Sequence, residues 1–119
     1  MSQDIIRYDP DKRLSDMVEY NGILYLAGQV GEDTTAGMQE QTKSVLSQID
    51  KLLARGGSDK SRILSAVVFV ADMRLKPKMD EAWTAWMDPK NSPARATVEA
   101  RLGSVDTLVE IMCLAAKSP

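Results

Sequence analysis

The sequence predicts a mixed α+β domain in which two helices cover one face of a single β-sheet. Three observations lead to this fold class. Strand-like and helical segments follow the order β-β-β-α-β-α-β-β along the 119 residues. A hairpin signal stands near the beginning, and a continuous apolar run separates the two helical segments. Hydrophobic residues make up 44% of the chain and charged residues 27%, which is typical of one folded domain over residues 1–119.

Three strands are predicted before the first helix. Residues 4–8 form a short first strand, and two further strand-like runs, 18–20 and 23–27, flank Asn21 and Gly22. Asn-Gly tolerates the positive φ angles of a type I′ turn, so the two runs are predicted to form a hairpin. Residues 28–31, which begin and end with glycine, close the second arm. Glycine beside a strand indicates a bulge or the close approach of another group.

Two helices are predicted from the spacing of apolar residues. The first covers residues 38–55 and is followed by two glycines that can cap it. Its apolar stripe consists of Val45, Leu46, Ile49, Leu52 and Leu53. Pro77 suits the first turn of the second helix, which we expect to end near Met87. One face of that helix carries Met79, Ala82, Trp83 and Trp86, which we interpret as core or interface packing.

The remaining strands complete the sheet. Residues 63–70 contain the apolar run 66–70, which is typical of a strand covered on both sides. Two strands close the chain, over residues 94–102 and 108–117, and we expect a short turn to join them. With both helices on one face, the other face stays apolar and open, so the sequence predicts an oligomer that buries it. That open face would carry Leu24, Leu26, Val68 and Val70, or the residues that alternate with them.

An arginine stands near the start of the first of these two strands. Arg95 follows Pro93 closely, and alternation places it on one side of the strand with three other polar residues, Thr97, Glu99 and Arg101. One interpretation is a solvated edge face with weak surface ion pairs. The other is a guanidinium fork that binds a carboxylate through two hydrogen bonds, a task that arginine performs better than lysine.

A glutamate interrupts the most apolar strand. Glu110 alternates with Leu108, Met112 and Leu114, so its side of the strand is not a solvated face. A buried carboxylate needs a hydrogen-bond or charge partner. Glu110 therefore meets a cation such as Arg95, lies at a cleft, or lies at a strand end that is open to water. One interpretation is a structural ion pair, and the other is a carboxylate that orients or deprotonates a water molecule.

The composition excludes several kinds of site. The chain has no histidine, which removes Ser-His-Asp and Cys-His catalysis and most zinc sites. The one cysteine, Cys113, lies in an apolar strand and is interpreted as a buried hydrophobic residue. A net charge of −2 without a basic stripe argues against nucleic-acid binding. We find no signal peptide and no membrane-spanning run, so a cytoplasmic location without membrane contact is expected.

Several segments together resemble the Rid family of reactive-intermediate (enamine/imine) deaminases, also called the YjgF family. The resemblance covers about residues 6–116. It depends on Leu-Ala-Gly-Gln-Val at 26–30, the helix at 41–56, the strand at 66–72, Pro-Ala-Arg-Ala-Thr-Val-Glu-Ala at 93–100 and Val-Glu-Ile at 109–111. The stretches at 13–16, 48–50, 57–61 and 82–86 are most similar to the YoaB-like subgroup.

The resemblance implies a fold, a reaction and a site. The fold is similar to that of trimeric chorismate mutase, in which the sheets of three subunits pack into a central barrel with clefts between neighbours. The implied reaction is hydrolysis of 2-aminoacrylate or a related 2-imino acid to a 2-keto acid and ammonia, with no cofactor and no metal. By this resemblance Arg95 binds the substrate carboxylate, the backbone at Thr97 contacts the substrate, Gly28 lines the cleft and Glu110 holds the attacking water.

The sequence also departs from the classical members. Those proteins carry a tyrosine, in a Gly-Pro-Tyr segment, that closes over the substrate. The corresponding residues 12–17 contain no tyrosine, and Leu14, Ser15 or Asp16 occupies that region. This departure bears on the choice of substrate. It keeps open a non-catalytic regulator of a metabolic enzyme that binds a small carboxylate at Arg95, and the further alternatives are a ribonuclease and a purely structural oligomer.

Overall fold

The computed structural model describes residues 4–119, and the predicted segments are present in it. Within that range the strands are β1 (Ile6–Tyr8), β2 (Met17–Tyr20), β3 (Ile23–Leu26), β4 (Gln29–Val30), β5 (Ile63–Val70), β6 (Ala94–Glu99) and β7 (Val109–Ala116). The helices are α1 (Met38–Arg55) and α2 (Lys76–Trp86), and short 3₁₀ turns precede β5 and α2. Both predicted ends of the first helix are confirmed, and Pro77 lies in the first turn of the second.

The strands form one mixed sheet in the order β1-β2-β3-β7-β5-β6, and β4 continues along β7 beyond the end of β3. The pairs β1–β2, β2–β3, β3–β7, β4–β7 and β5–β7 are antiparallel, whereas β5–β6 is parallel. Parallel neighbours need a crossover connection, which α2 provides. The Asn21–Gly22 turn between β2 and β3 is confirmed by φ angles of 53° and 78°.

The expectation that a short turn joins the last two strands is wrong. β5 lies between β6 and β7, so these two strands are not neighbours. β6 ends at Glu99, and the next amide, of Ala100, donates to the carbonyl of Val70 at the end of β5. The amide of Ala71 donates in turn to the carbonyl of Leu108, just before β7. Residues 100–108 therefore pass around the end of β5 instead of forming a tight turn.

Alternation along the strands separates a covered face from an open face. Leu24, Leu26, Val68 and Val70 are at most 3% exposed and face the helices. The open face carries the residues that alternate with them, among them Ile23, Tyr25, Val67 and Phe69. The expectation that β5 is covered on both sides is wrong for the single chain, because both helices pack on the same side of the sheet. Tyr25 stays 43% exposed and Met112 38%.

The helices close the core over the covered face. The predicted stripe of α1 is buried from Val45 to Leu53, and Met79, Ala82 and Trp83 of α2 are buried beside it. Trp83 and Trp86 pack edge to face with ring centroids 5.8 Å apart, which confirms their role in packing. Among residues 4–119 no helix combines the length and the apolar character needed to cross a membrane.

One buried amide connects two long loops to the first helix. The side chain of Gln41, in α1, is 1% exposed. Its Nε2 donates to the carbonyls of Ala36 and Asp106, each at 3.0 Å, and its Oε1 accepts from the amide of Leu108 at 2.9 Å. These bonds hold the loop after β4 and the loop before β7 against α1. They also give the buried amide of Gln41 the partners that its burial requires.

Replacing Gln41 with Ala should lower the free energy of unfolding by about 3 kcal/mol, because it removes three hydrogen bonds of a buried amide, each of which contributes about 1 kcal/mol. Urea denaturation followed by circular dichroism measures this loss. Gln48→Ala is the matched control on the same helix, since the Gln48 amide bonds the carbonyl of Val30 at an exposed site and should cost at most about 1 kcal/mol. Equal losses for the two variants would contradict the role assigned to Gln41.

Candidate functional site

Glu110 lies on the open face of the sheet, close to the beginning of β7. Its neighbours in sequence, Val109 and Ile111, are 0% and 1% exposed and point into the core, so the Glu110 side chain points the other way. It is in register with Phe69 of β5 and Val30 of β4. Within residues 4–119 the Glu110 carboxylate forms no hydrogen bond or ion pair. Glu110 is therefore not part of a structural ion pair in the single chain, and its oxygens are available to water or a ligand.

The absence of a side chain at Gly28 leaves the space that the Glu110 carboxylate occupies. The glycine lies between β3 and β4, and a Cβ atom built on it would come 2.1 Å from Oε2 of Glu110 and 3.0 Å from its carboxyl carbon. A side chain at this position would therefore force the carboxylate to move. The close approach predicted for this glycine is thus confirmed, and the approaching group is the carboxylate. We call these two residues the Glu110 pair.

Arg95 lies on the other side of the sheet. It is in register with Ala66, a core residue, and its side chain faces α2. Its Nη2 donates to Oδ1 of Asp80 at 2.7 Å, and its Nη1 lies 3.9 Å from the sulfur of Met79. The guanidinium carbon is 5.0 Å from the centroid of the Trp83 ring, a cation–π contact. The interpretation of Arg95 as a solvated edge charge is therefore wrong, since α2 covers this part of β6.

Asp80 is shared between two cations. Its Oδ2 accepts from Nζ of Lys76, one helical turn earlier, at 2.6 Å. Partial burial is the largest single influence on the pKa of Asp80 and acts to raise it, but hydrogen bonds from Lys76 and Arg95, together with their charges, lower that pKa below its usual range. Asp80 is therefore ionised at neutral pH. We call Lys76, Asp80, Trp83 and Arg95 the Arg95 cluster.

Three other polar residues were predicted to share one side of this strand with Arg95, namely Thr97, Glu99 and Arg101. Thr97 is in register with Val68 and lies on the same side as Arg95, partly buried. Glu99 is in register with Val70 and lies on this side as well, where its Oε1 accepts from the backbone amide of Met73, just before α2, at 2.8 Å. Arg101 lies beyond the end of the strand. The side predicted to carry four polar residues thus carries three of them, Arg95, Thr97 and Glu99.

The structure divides the predicted site residues into two groups that lie in separate places. Gly28 and Glu110 are in contact on the open face, and Arg95 and Thr97 lie on the helix-covered side of the edge strand β6. Within one chain the two places face in opposite directions, so Arg95 cannot be the cation that pairs with Glu110. Asp80 was not found by sequence reasoning. The i, i+4 spacing of Lys76 and Asp80 was a visible signal, but nothing local indicated that α2 would pack over Arg95.

The loop before β2 provides no tyrosine to either place. Leu14 is 54% exposed, and its amide bonds the side chain of Asp11. Tyr8, in β1, donates its hydroxyl hydrogen to Glu19 at 3.1 Å and is committed to that contact. Residues 12–17 therefore lack the tyrosine of the classical members, as the sequence indicates. This segment gives neither Glu110 nor Arg95 an aromatic neighbour.

Two other features of the chain can be separated from the candidate site. Cys113 is 1% exposed, and burial raises the pKa of its thiol to about 12, so it is the buried hydrophobic residue expected and not a nucleophile. A surface depression of about 780 Å³ is lined by Ala71, residues 99–105 and Thr107. It contains neither Arg95 nor Glu110. Among residues 4–119 no group of acidic residues and cysteine has the arrangement of a metal site.

Comparison with known proteins connects this geometry to a family. The sequence profile of the endoribonuclease L-PSP family matches residues 5–117. A RutC family protein of Haemophilus ducreyi is 47% identical over 112 residues, which cover 94% of this chain and 96% of that protein. The RutC family protein YoaB of Escherichia coli K12 is 43% identical over 112 residues, which cover 94% of this chain and 97% of YoaB. The predicted similarity to YoaB is confirmed.

Solved structures and a more distant relative extend the comparison. A YjgF family protein of Neisseria meningitidis superposes with a TM-score of 0.94 at 41% identity, covering 98% of both chains. This confirms the predicted two-helix, single-sheet fold. The chloroplastic Reactive Intermediate Deaminase A of Arabidopsis thaliana is 25% identical over 108 residues, which cover 91% of this chain and 57% of that protein.

Replacing Gly28 with Ala should displace the Glu110 carboxylate by about 1 Å, because the added methyl group and Oε2 cannot approach closer than van der Waals contact. A crystal structure of the variant measures this shift. Gly37→Ala is the control, since a Cβ at Gly37 would meet nothing within 4 Å. A Glu110 side chain that keeps its position in the Gly28 variant would show that the close contact does not fix the carboxylate.

Proposed function

The chain belongs to the endoribonuclease L-PSP family, the YjgF/Rid proteins, and from this premise we propose that it is an enamine/imine deaminase. The substrate is 2-aminoacrylate or a related 2-imino acid, and the products are the 2-keto acid and ammonia. The observation that carries the proposal is the Glu110 carboxylate, which is held against Gly28 on an apolar face and has no partner within residues 4–119. The distant relative named Reactive Intermediate Deaminase A supports the same reaction.

Arg95 is the proposed anchor of the substrate carboxylate. A guanidinium has five N–H donors, and Asp80 accepts from one of the Arg95 nitrogens. Donors remain for a carboxylate, which arginine can bind through two parallel hydrogen bonds. Asp80 and the Trp83 ring hold the guanidinium plane in place before the substrate arrives. Less side-chain freedom is then lost on binding. The backbone at Thr97, on the same side of β6, is the proposed second contact.

Glu110 is the proposed holder of the attacking water. Its carboxylate oxygens accept hydrogen bonds, so a water can donate one hydrogen bond to Glu110 and aim a lone pair at the imine carbon. 2-Aminoacrylate enters this step as its imine tautomer, formed when a proton moves from nitrogen to C3. As the C–O bond forms, the π electron pair of the C=N bond moves to nitrogen, which takes the proton released by the water, and a carbinolamine results. The carbinolamine hydroxyl then gives its proton to the amino group, and the C–N bond breaks as the carbonyl forms, which releases ammonia and leaves the keto acid. Imine hydrolysis has a low intrinsic barrier, so positioning and modest electrostatic help are sufficient.

The site is proposed to form between copies of the chain. The Arg95 cluster and the Glu110 pair face in opposite directions in one chain, so one small substrate can touch both only where two copies meet. The open face offers the apolar surface for such contact, with Tyr25, Val98 and Met112 each about two-fifths exposed (43%, 39% and 38%). We propose a homotrimer in which each cleft takes its arginine from one subunit and its glutamate from the next.

The second candidate is a regulator that binds a 2-keto acid at Arg95 without turnover. The loop at residues 12–17, which supplies no aromatic side chain to close a site, favours it. Binding without acceleration of imine hydrolysis would distinguish it from the deaminase. We do not propose the ribonuclease activity in the family's name, because a net charge of −2 without a basic stripe gives little attraction for phosphates.

Arg95→Ala should lower kcat/KM for freshly generated 2-aminoacrylate by about 100-fold, because the charge-assisted bonds to the substrate carboxylate are lost. Glu110→Gln should lower it by about 10–100-fold, since the amide holds the water less well. Release of keto acid and ammonia above the buffer rate is the measurement.

Two variants control this experiment. Arg101→Ala removes an exposed arginine six residues away in the sequence, and Glu40→Gln neutralises an exposed glutamate of α1. Both should keep the wild-type rate. A wild-type protein that fails to exceed the buffer rate with any small 2-imino acid would exclude the deaminase and favour the regulator.

Mixing the two inactive variants should restore activity if the site lies between copies. After joint refolding of Arg95→Ala with Glu110→Gln, random assembly gives about one quarter of the clefts an intact arginine and an intact glutamate. The recovered rate should therefore be about one quarter of the wild-type rate per subunit. The same variants refolded separately and then mixed without exchange are the control. A mixture that is no faster than the mean of its parents would place both residues in one chain's site, or rule out the site altogether.

A further inference from the structure

The proposed anchor already has a negatively charged neighbour. Oδ1 of Asp80 is 2.7 Å from Nη2 of Arg95, and Oδ2 is 2.6 Å from Nζ of Lys76. The Asp80 side chain is 32% exposed and that of Arg95 20%, so both charges lie at a surface that a ligand can reach. When a ligand carboxylate binds Arg95, it therefore lies close to a second carboxylate, that of Asp80.

One anion is sufficient to neutralise the net charge of the Arg95 cluster. Lys76 and Arg95 contribute two positive charges and Asp80 one negative charge, so the net charge is +1. The next ion pair on α2, between Lys78 and Glu81 at 3.7 Å, adds no net charge. One substrate carboxylate neutralises the cluster, and a second would leave an excess negative charge at the same place.

We propose that Asp80 determines the substrate class. It restricts the site to monoanionic 2-imino acids, those with an uncharged side chain, and disfavours imino acids with a second carboxylate. This inference rests on the proposed function, because it assigns the carboxylate anchor to Arg95. Asp80 discriminates by repulsion, which is an effective route to specificity when the attractive contact is common to all candidates.

The apolar surroundings of the Glu110 pair act in the same direction. Val30, 40% exposed, is in register with Glu110, and Met112 follows two residues later on the same face. A substrate side chain that reaches this surface meets apolar groups and the negative charge of Glu110. An uncharged side chain is accepted there, whereas a carboxylate loses its hydration and gains no cation.

The test compares two keto acids that differ at one end. Keto acids are the stable products of the proposed reaction, and 2-oxopentanoate and 2-oxoglutarate have the same chain length but end in a methyl group and a carboxylate, respectively. Titration calorimetry on the wild-type protein should give at least about tenfold tighter binding of 2-oxopentanoate. In Asp80→Asn this preference should fall about tenfold, because the repulsion of the second carboxylate is removed.

Two further variants make the comparison specific. Asp72→Asn is the matched control, since Asp72 also pairs with an arginine, Arg74, at 2.7 Å and is 34% exposed; it should leave the preference unchanged. Lys76→Gln lowers the net charge of the cluster to zero and should increase the preference for 2-oxopentanoate. Opposite shifts in the two variants of the Arg95 cluster cannot arise from a general loss of structure.

The outcomes separate this inference from the proposed function. Binding that requires Arg95, with a preference unchanged in Asp80→Asn, would overturn the role of Asp80 and leave the deaminase intact. Binding that survives Arg95→Ala would overturn both. A preference that moves as expected, in a protein that does not accelerate imine hydrolysis, would support Asp80 as the selector of a regulatory binding site and exclude the deaminase.

Discussion

The two-residue period of β7 is the constraint on which the rest of the molecule depends. This strand pairs with β3 and β4 on one side and with β5 on the other, so it lies at the centre of the sheet. Its covered face consists of Val109, Ile111, Cys113 and Ala115, each at most 1% exposed. A shift of one residue would expose this set and bury Glu110 without a partner, so the register is strongly specified. The same alternation that builds the core therefore places a carboxylate on the opposite face.

The edge strand β6 shows how stability and chemistry share one contact. An arginine partly removed from water needs a charge partner, and Asp80 provides it while Trp83 covers the guanidinium. This pairing stabilises the packing of α2 on the face of β6. It also lowers the positive potential that Arg95 offers to a ligand. Beside this contact, arginine still offers a planar fork of N–H donors, which a lysine in the same place would lack.

The parts of the fold that could be predicted are those fixed by local pattern. The ends of α1 follow from its apolar stripe and the glycines after it, and the Asn21–Gly22 turn follows from its backbone preference. The sequence does not show that β5 lies between β6 and β7, because strand order depends on contacts between distant segments. The open face was left undecided, since Tyr25 and Phe69 are as apolar as the residues they alternate with. Arg95 and Glu110 were identified as unusual, but Asp80 was not, because it lies on another element.

An unpartnered carboxylate on an apolar face connects the fold to the proposed assembly. On an isolated chain Glu110 can be hydrated, since the open face is accessible. If that face packs against another copy, its oxygens leave bulk water and must gain a cation or an ordered water. Close packing of Phe69 and Met112 against a neighbour would leave Glu110 buried and uncompensated. A cleft at Glu110 resolves this conflict, because it keeps one water within reach while the remaining apolar surface is buried. The proposed assembly would therefore position a water beside a carboxylate.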